Sequence, residues 1–217
     1  AAVMILTDDN FATIVKAVEF GRGIYDNLSK YIRFQMGMLA AFILSYLGAA
    51  IFGILGGVPF SPAVVLFVNF LIQVPIAIAL GFDKPMPGLM DRKPRPLSQP
   101  VLSRSQWVRL IFTGFLIAAG TLLLEQRYEA IDPALAATMG FAVFALFNIV
   151  FGLSARSETG TIFTRDTVGD RRQLQLYGLA LLLTLLGAEL GILQRILGTV
   201  SLTFDQWLLC IGLAFAL

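Results

Sequence analysis

Histidine is absent from the 217 residues, and cysteine occurs once, at Cys210 within an apolar run. The first absence removes the commonest soft-metal ligand and the usual proton carrier near neutral pH. The second excludes an intrachain disulfide. Charge is also scarce: Asp, Glu, Lys and Arg make up 14% of the chain, against 57% hydrophobic residues. Soluble domains carry about 25% charged residues. With a mean hydropathy of +0.80, the composition excludes an ordinary soluble domain and fits a polytopic membrane protein. The formal net charge is only +2, and no nucleic-acid partner is expected. The opening run Ala1–Leu6 is short and passes at once into Asp8 and Asp9, unlike a signal peptide. The start without Met and the apolar run at the far end predict a piece of a longer chain.

What is present is a series of long apolar segments. Ala2–Leu6 predicts a short buried strand, and Thr7-Asp8-Asp9-Asn10 supplies turn and helix-cap chemistry. From Phe11 the period is helical. Ile14, Ala17, Val18, Gly21, Ile24, Tyr25, Leu28 and Ile32 form a stripe, with Lys16, Glu19, Arg22, Asp26 and Lys30 largely off it. No strong breaker intervenes before Gly53, and from Phe34 the sequence is apolar all round. One helix is therefore expected to be both a water-exposed stalk and a membrane span. Further spans are expected at about 64–81, 107–124, 134–153 and 174–193 after the first at 34–53, with 206–217 too short to cross. The expected fold is thus an all-α polytopic bundle of about six spans, the last truncated. A polar turn is expected from Glu125 to Pro133, and two long polar loops at Phe82–Arg104 and Ser154–Arg172.

Fourteen of the sixteen Lys and Arg residues fall in the stalk, between Phe82 and Arg109, or between Arg156 and Arg172. The positive-inside rule makes that side cytoplasmic and the hairpin around Gly56 and Gly57 external. The Arg92, Lys93 and Arg95 cluster suits anionic lipid, docking to a cytoplasmic domain, or plain solvation.

The segment Val64–Gly81 carries the candidate chemistry. Asn69 and Gln73 share one helix face. Pro75 lacks an N–H, so the carbonyl of Leu71 loses its helical donor. Lipid offers no replacement, so the broken turn must face protein or a watery cavity. Two readings stay open from these residues: an ion site on a broken helix, or a kinked span whose amides bind neighbouring helices. Gln35, Ser45, Asn148 and Glu189 are the secondary polar candidates inside predicted spans. Asn148 suits interhelical bonding, and Glu189 sits near the outer end of its helix, about a turn from Arg195.

Thr7–Asn27, T-D-D-N-F-A-T-I-V-K-A-V-E-F-G-R-G-I-Y-D-N, resembles the junction where P-type cation ATPases pass from the phosphorylation domain into the fifth transmembrane helix. V-N-F-L (68–71), A-L-G-F-D (79–83) and L-M-D-R-K-P-R-P (89–96) are similar to the sixth helix and following loop of the type II pumps. T-F-D-Q-W (203–207) is similar to their tenth helix. The resemblance implies that residues 1–33 are the end of an α/β phosphorylation domain plus stalk, and that residues 34–217 are transmembrane. It implies the carboxy-terminal membrane half of an ATP-driven cation pump, moving calcium or another small cation across a plasma membrane. The alternative is a non-catalytic membrane module or degenerate pump relative. ATP, Mg2+, the catalytic aspartate and the first four helices would belong to upstream parts of the same chain. Ion ligands would come from Asn69, Gln73 and the backbone carbonyls of Leu71 and Ile72. The pattern also departs from the calcium pumps. Ile72 and Gln73 stand where their sixth helix has a Thr-Asp pair. Leu39 and Phe42 fall where the fifth helix has an asparagine and a glutamate, and Ala145 falls near the eighth-helix glutamate. The site in this chain is thus expected to offer neutral oxygens only.

Overall fold

The structure is a computed structural model and describes residues 10–84, 88–93, 96, 100–156 and 170–216. The expected strand at 2–6 and most of the second polar loop lie outside the described residues. Helix α1 spans Phe11–Phe52, 42 residues, and at 1.5 Å per residue reaches about 63 Å. Asn10 caps it by accepting from the Ala12 N–H at 3.0 Å. Gly53, at φ 72°, ends it in the left-handed conformation that glycine adopts without strain. The expected union of stalk and span is therefore observed.

The stalk face is different from the one expected. Val18, Ile24 and Leu28 of the predicted stripe are exposed, whereas Asn27 and Lys30 are buried. The cause is polar: the loop after the next span presents an aspartate and free carbonyls to this side of α1. Further along, Phe34, Met38, Ala41, Ser45 and Ala49 form the buried stripe at helical spacing.

A tight turn at Ile54–Gly57 follows, with Leu55, Gly56 and Gly57 all at positive φ. The next span runs Pro62–Gly81, capped by Ser61, whose Oγ accepts from Val64 N–H. It has three parts: α2 (Pro62–Phe67), a π-helical turn (Val68–Ile72) and α3 (Gln73–Gly81). Helix α4 (Arg104–Glu129) begins with a Ser103/Gln106 capping box. Helix α5 (Pro133–Ala155) is capped by Asp132. The turn expected from Glu125 is thus shorter, because α4 continues another turn and carries Glu125 inside the helix.

Helix α6 (Arg171–Glu189) is capped by Asp170. The fifth span bends by 80° into α7 (Gly191–Leu197). The bend is held by Gln194 Nε2 donating to the Ala188 carbonyl and Thr199 Oγ1 donating to the Gly187 carbonyl, each at 2.7 Å. Helix α8 covers Phe204–Phe215. Among the described residues, four helices are long and apolar enough to cross a membrane, or five when the bent pair counts as one. The all-helical membrane bundle is as expected.

Helix α5 is the centre, with every residue from Thr138 to Val150 buried. Helices α1 and α4 run parallel beside it. Leu110 approaches Gly37, Gly114 approaches Ala40 and Ala41, and Leu122 packs on Gly48. Small residues allow backbones to approach where lipid gives no hydrophobic drive. A Cβ on Gly114 would stand 2.9 Å from both the Ala40 Cβ and the Ala41 backbone nitrogen. Gly114→Val should therefore force α1 and α4 apart and cost about 1–3 kcal/mol. A clear drop in the thermal midpoint of the purified protein in detergent is expected, and an unchanged midpoint would show that this contact is not tight.

Candidate cation site and its anchor

The centre of the second span stays helical where a kink was expected, but its ladder shifts by one residue. The Gln73 N–H bonds to the Val68 carbonyl, five residues back, in place of the Asn69 carbonyl four back. Pro75 has no N–H to give Leu71. Asn69 and Leu71 carbonyls therefore both lose their α-helical donors within one turn. Ile72 is the residue from which the α-helix resumes, and its side chain is fully buried. A π turn is the cheaper answer to a mid-membrane proline, since it widens the helix without exposing a run of backbone to lipid.

Side chains add to this turn. Asn69 is half-buried, and its Nδ2 donates to the Val65 carbonyl at 2.8 Å, one turn back on its own helix. That tether occupies the amide nitrogen and leaves Oδ1 as the outward end. Gln73 is buried, and its Nε2 has no hydrogen-bond partner. Asn148 at the middle of α5 repeats the arrangement: Nδ2 donates to the Phe144 carbonyl at 2.8 Å, and the buried Oδ1 is unpartnered. The Ser45 hydroxyl in the buried stripe of α1 is unpartnered too. Gln35 is half-buried near the inner end of that span. Glu189 lies elsewhere, exposed at the end of α6. Its Oε1 accepts from the Leu202 N–H at 3.1 Å and from the Trp207 Nε1 at 3.0 Å, joining α6 to the start of α8. Among the described residues, no group of three or more His, Cys, Asp or Glu could hold a metal ion. A magnesium ion accordingly finds no carboxylate cluster there.

The carboxy-terminal end of α3 is anchored by a buried ion cluster that sequence reasoning missed. Asp83 Oδ2 pairs with Lys30 of α1 at 2.7 Å, and Oδ1 pairs with Arg156, just past α5, at 2.8 Å. Asn27 Nδ2 donates to the Asp83 carbonyl at 2.7 Å and to the Gly81 carbonyl at 3.2 Å. Gln173 of α6 donates to the Ala79 carbonyl at 2.7 Å. One short stretch, Ala79–Asp83, is thus held by α1, α6 and the end of α5 together. Burial alone would raise the pKa of Asp83. The hydrogen bonds and charges of Arg156 and Lys30 outweigh it and hold the carboxyl below its usual range. The stalk grips the following loop as well: Arg22 Nη1 donates to the carbonyls of Leu89 and Arg92, and Arg92 pairs with Asp26 at 2.9 Å. Arg92 of the basic cluster thus pairs with the stalk helix, an outcome different from the lipid, cytoplasmic-domain and solvated readings; Arg95 lies outside the described residues.

Comparison with known proteins gives a consistent result. The family described as "Cation transporting ATPase, C-terminus" matches residues 57–217. A calcium-transporting ATPase of Bacillus subtilis is 34% identical over 217 residues, 99% of this chain and 24% of its own length. Calcium-transporting ATPase 1 of Yarrowia lipolytica is 30% identical over 96% of this chain and 22% of its own length. Calcium-transporting ATPase type 2C member 1 of Homo sapiens is 30% identical over 98% of this chain and 23% of its own length. The chain therefore spans about a quarter of the length of these relatives.

The anchor yields a prediction. Asp83→Asn leaves Lys30 and Arg156 buried without their counter-charge and should cost about 3 kcal/mol. A carboxyl held below its usual range stabilises the fold above that range, and the gain disappears as pH falls through its folded value. The difference in thermal midpoint between wild type and Asp83→Asn should therefore be full at neutral pH and shrink below about pH 4. A difference that does not change with pH would show that the Asp83 charge is not what stabilises the cluster.

Proposed function

Because the chain belongs to the cation-transporting ATPase family, as the carboxy-terminal membrane part of a calcium-pump-like P-type ATPase, we propose that it supplies part of the translocation site of an ATP-driven cation pump. The cargo is calcium or another small cation. The observation that carries this reading is the π turn at Val68–Ile72, where the Asn69 and Leu71 carbonyls lose their α-helical donors on the turn that also carries the Asn69 side chain. Asn69 and the Leu71 carbonyl are the first ligands, with Gln73, the Ile72 carbonyl and Asn148 in reserve. Ser45 and Gln35 face the cation's route along α1, and Glu189 is left out of it. A doubly charged ion wants anionic oxygens to offset lost hydration. The described part of the site has none, so a carboxylate would come from elsewhere in the full-length protein, or the cargo would be held weakly.

In this reading the full-length protein hydrolyses ATP with Mg2+ on cytoplasmic domains outside these residues. Its α1 stalk carries their movement to the π turn. The rigid length of α1 and its grip on Ala79–Asp83 suit that role, since packed helices shift as units. The protein sits in a plasma membrane with the stalk and basic loops cytoplasmic, as the charge bias favours. The cation-stimulated ATPase activity of the full-length protein, screened against calcium, magnesium, manganese, sodium and potassium, tests the reading. One stimulating cation is expected, and none would favour the non-transporting module. Asn69→Ala should raise the concentration needed for half-stimulation about tenfold, the loss of one ligand worth about 1.4 kcal/mol, with expression unchanged. Gln73→Asp should lower it for a divalent cation. An unaltered cation dependence in both variants would remove this turn from the site.

A further inference from the structure

Glu125 lies on α4 one turn before the helix ends, at the end of the bundle away from Asp83. Its exposure is 0%, and neither carboxyl oxygen has a hydrogen-bond partner. None of the ion pairs among the described residues includes it. The groups around it offer no relief. On α1, Tyr46 is close enough to interact electrostatically, but its hydroxyl is spent on the Phe60 carbonyl at 2.8 Å. On α4 itself, Glu129 is a second acid, engaged with the Leu55 N–H at 2.9 Å, and Arg127 is exposed on another face. Thr121, one turn below, donates to the Ile117 carbonyl. On α5 the contact is Gly140, with no side chain at all. A Cβ built there would overlap the Glu125 Oε1, so the carboxyl lies in the space that only glycine leaves open.

An ionised carboxylate in such a place would carry its full desolvation cost with nothing to offset it. A metal cation would need several more oxygens, and no group of three acids, cysteines or histidines is available among the described residues. A proton needs only the carboxyl itself. We propose that Glu125 is a proton-binding site of the membrane domain, loaded while α1, α4 and α5 are packed together and released when they part. The step is a simple exchange: the O–H bond of the neutral acid breaks as the interface opens, and the proton passes to water. It belongs to the contact of α4 with Gly140 of α5 rather than to the π turn, and does not depend on the transport reading. Its consequence is that separation of the stalk-bearing helix α1 from α4 and α5 is linked to proton release.

The test uses the full-length protein in detergent. At neutral pH its infrared spectrum should contain the carbonyl band of a neutral carboxylic acid that is missing from Glu125→Gln. The folded protein holds this proton, while the unfolded chain releases it above the ordinary carboxylate range. Wild-type stability should therefore fall as pH rises above the ordinary carboxylate range of about 4 to 5. Glu125→Gln, a neutral isostere, should fold and lose at least half of that pH-dependent fall. Glu125→Met, neutral and without hydrogen-bonding demand, should do the same. Identical infrared spectra for wild type and Glu125→Gln, an equal pH-dependent fall in wild type and variants, or failure of both neutral variants to fold would overturn the proposal.

Discussion

Lipid cannot make hydrogen bonds, and most of this architecture answers that constraint. Polar side chains inside the bundle bond mostly to their own helix. Thr121, Thr138, Thr184, Asn69 and Asn148 each donate to the carbonyl four residues back. For threonine this satisfies the only donor, and the side chain becomes nearly apolar towards its neighbours. For asparagine it satisfies the amide nitrogen alone and leaves an oxygen aimed away from the helix. The same local habit therefore silences threonines and turns asparagines into oriented acceptors. Asn69 is special among them because it sits on the turn whose backbone carbonyls are also short of donors.

The second span links this chemistry to the rest of the molecule. Its middle is loosened by the π turn, while its inner end is held rigidly by Lys30, Arg156, Asn27 and Gln173. A movement of α1 along its axis would be felt at Ala79–Asp83 first, then passed through one and a half turns of α3 to the widened turn. The soft point lies between the fixed inner end and the capped outer end at Ser61. Strain applied at the inner end thus concentrates where the ladder is already shifted. Hydrogen bonds with charged partners are roughly twice as strong as neutral ones, which makes the Asp83 cluster the firm end of this lever.

The extent of α1 was legible in the sequence because no proline and no glycine-rich turn lies between Phe11 and Phe52, whereas Gly53 opens the run G-I-L-G-G-V-P. The π turn was half legible: Pro75 announced a lost hydrogen bond, but not whether the helix would unwind or widen. Lys30 was misread, since charge at helical spacing normally marks a solvated face. Its partner Asp83 lies 53 residues away, and Arg156 another 73 residues beyond that. Pairings at such separations have no local signature, although A-L-G-F-D was already notable as a family-like string. Glu125 was placed in a turn because a charged cluster, E-Q-R-Y-E, follows an apolar run. Helix propensity carries α4 through that cluster, since Glu, Gln and Arg are all good helix formers.

The proposed coordination turn and the proposed neutral acid share one logic. Each lowers the cost of keeping polar chemistry inside an apolar bundle by avoiding permanent charge, which in lipid must be paired or expelled. The buried ion pairs among the described residues are instead grouped around Asp83 past the end of α3, where Lys30 and Arg156 both reach one aspartate and the loop carbonyls lie close by. Such a division puts the strong, fixed interactions where the stalk enters, and leaves the middle of the bundle weakly polar. A cation crossing this bundle would meet oriented dipoles rather than a trap. In the proposed transport reading, release would then cost less, which would suit a site that empties on every cycle, and tight binding would take a charge from another part of the full-length protein.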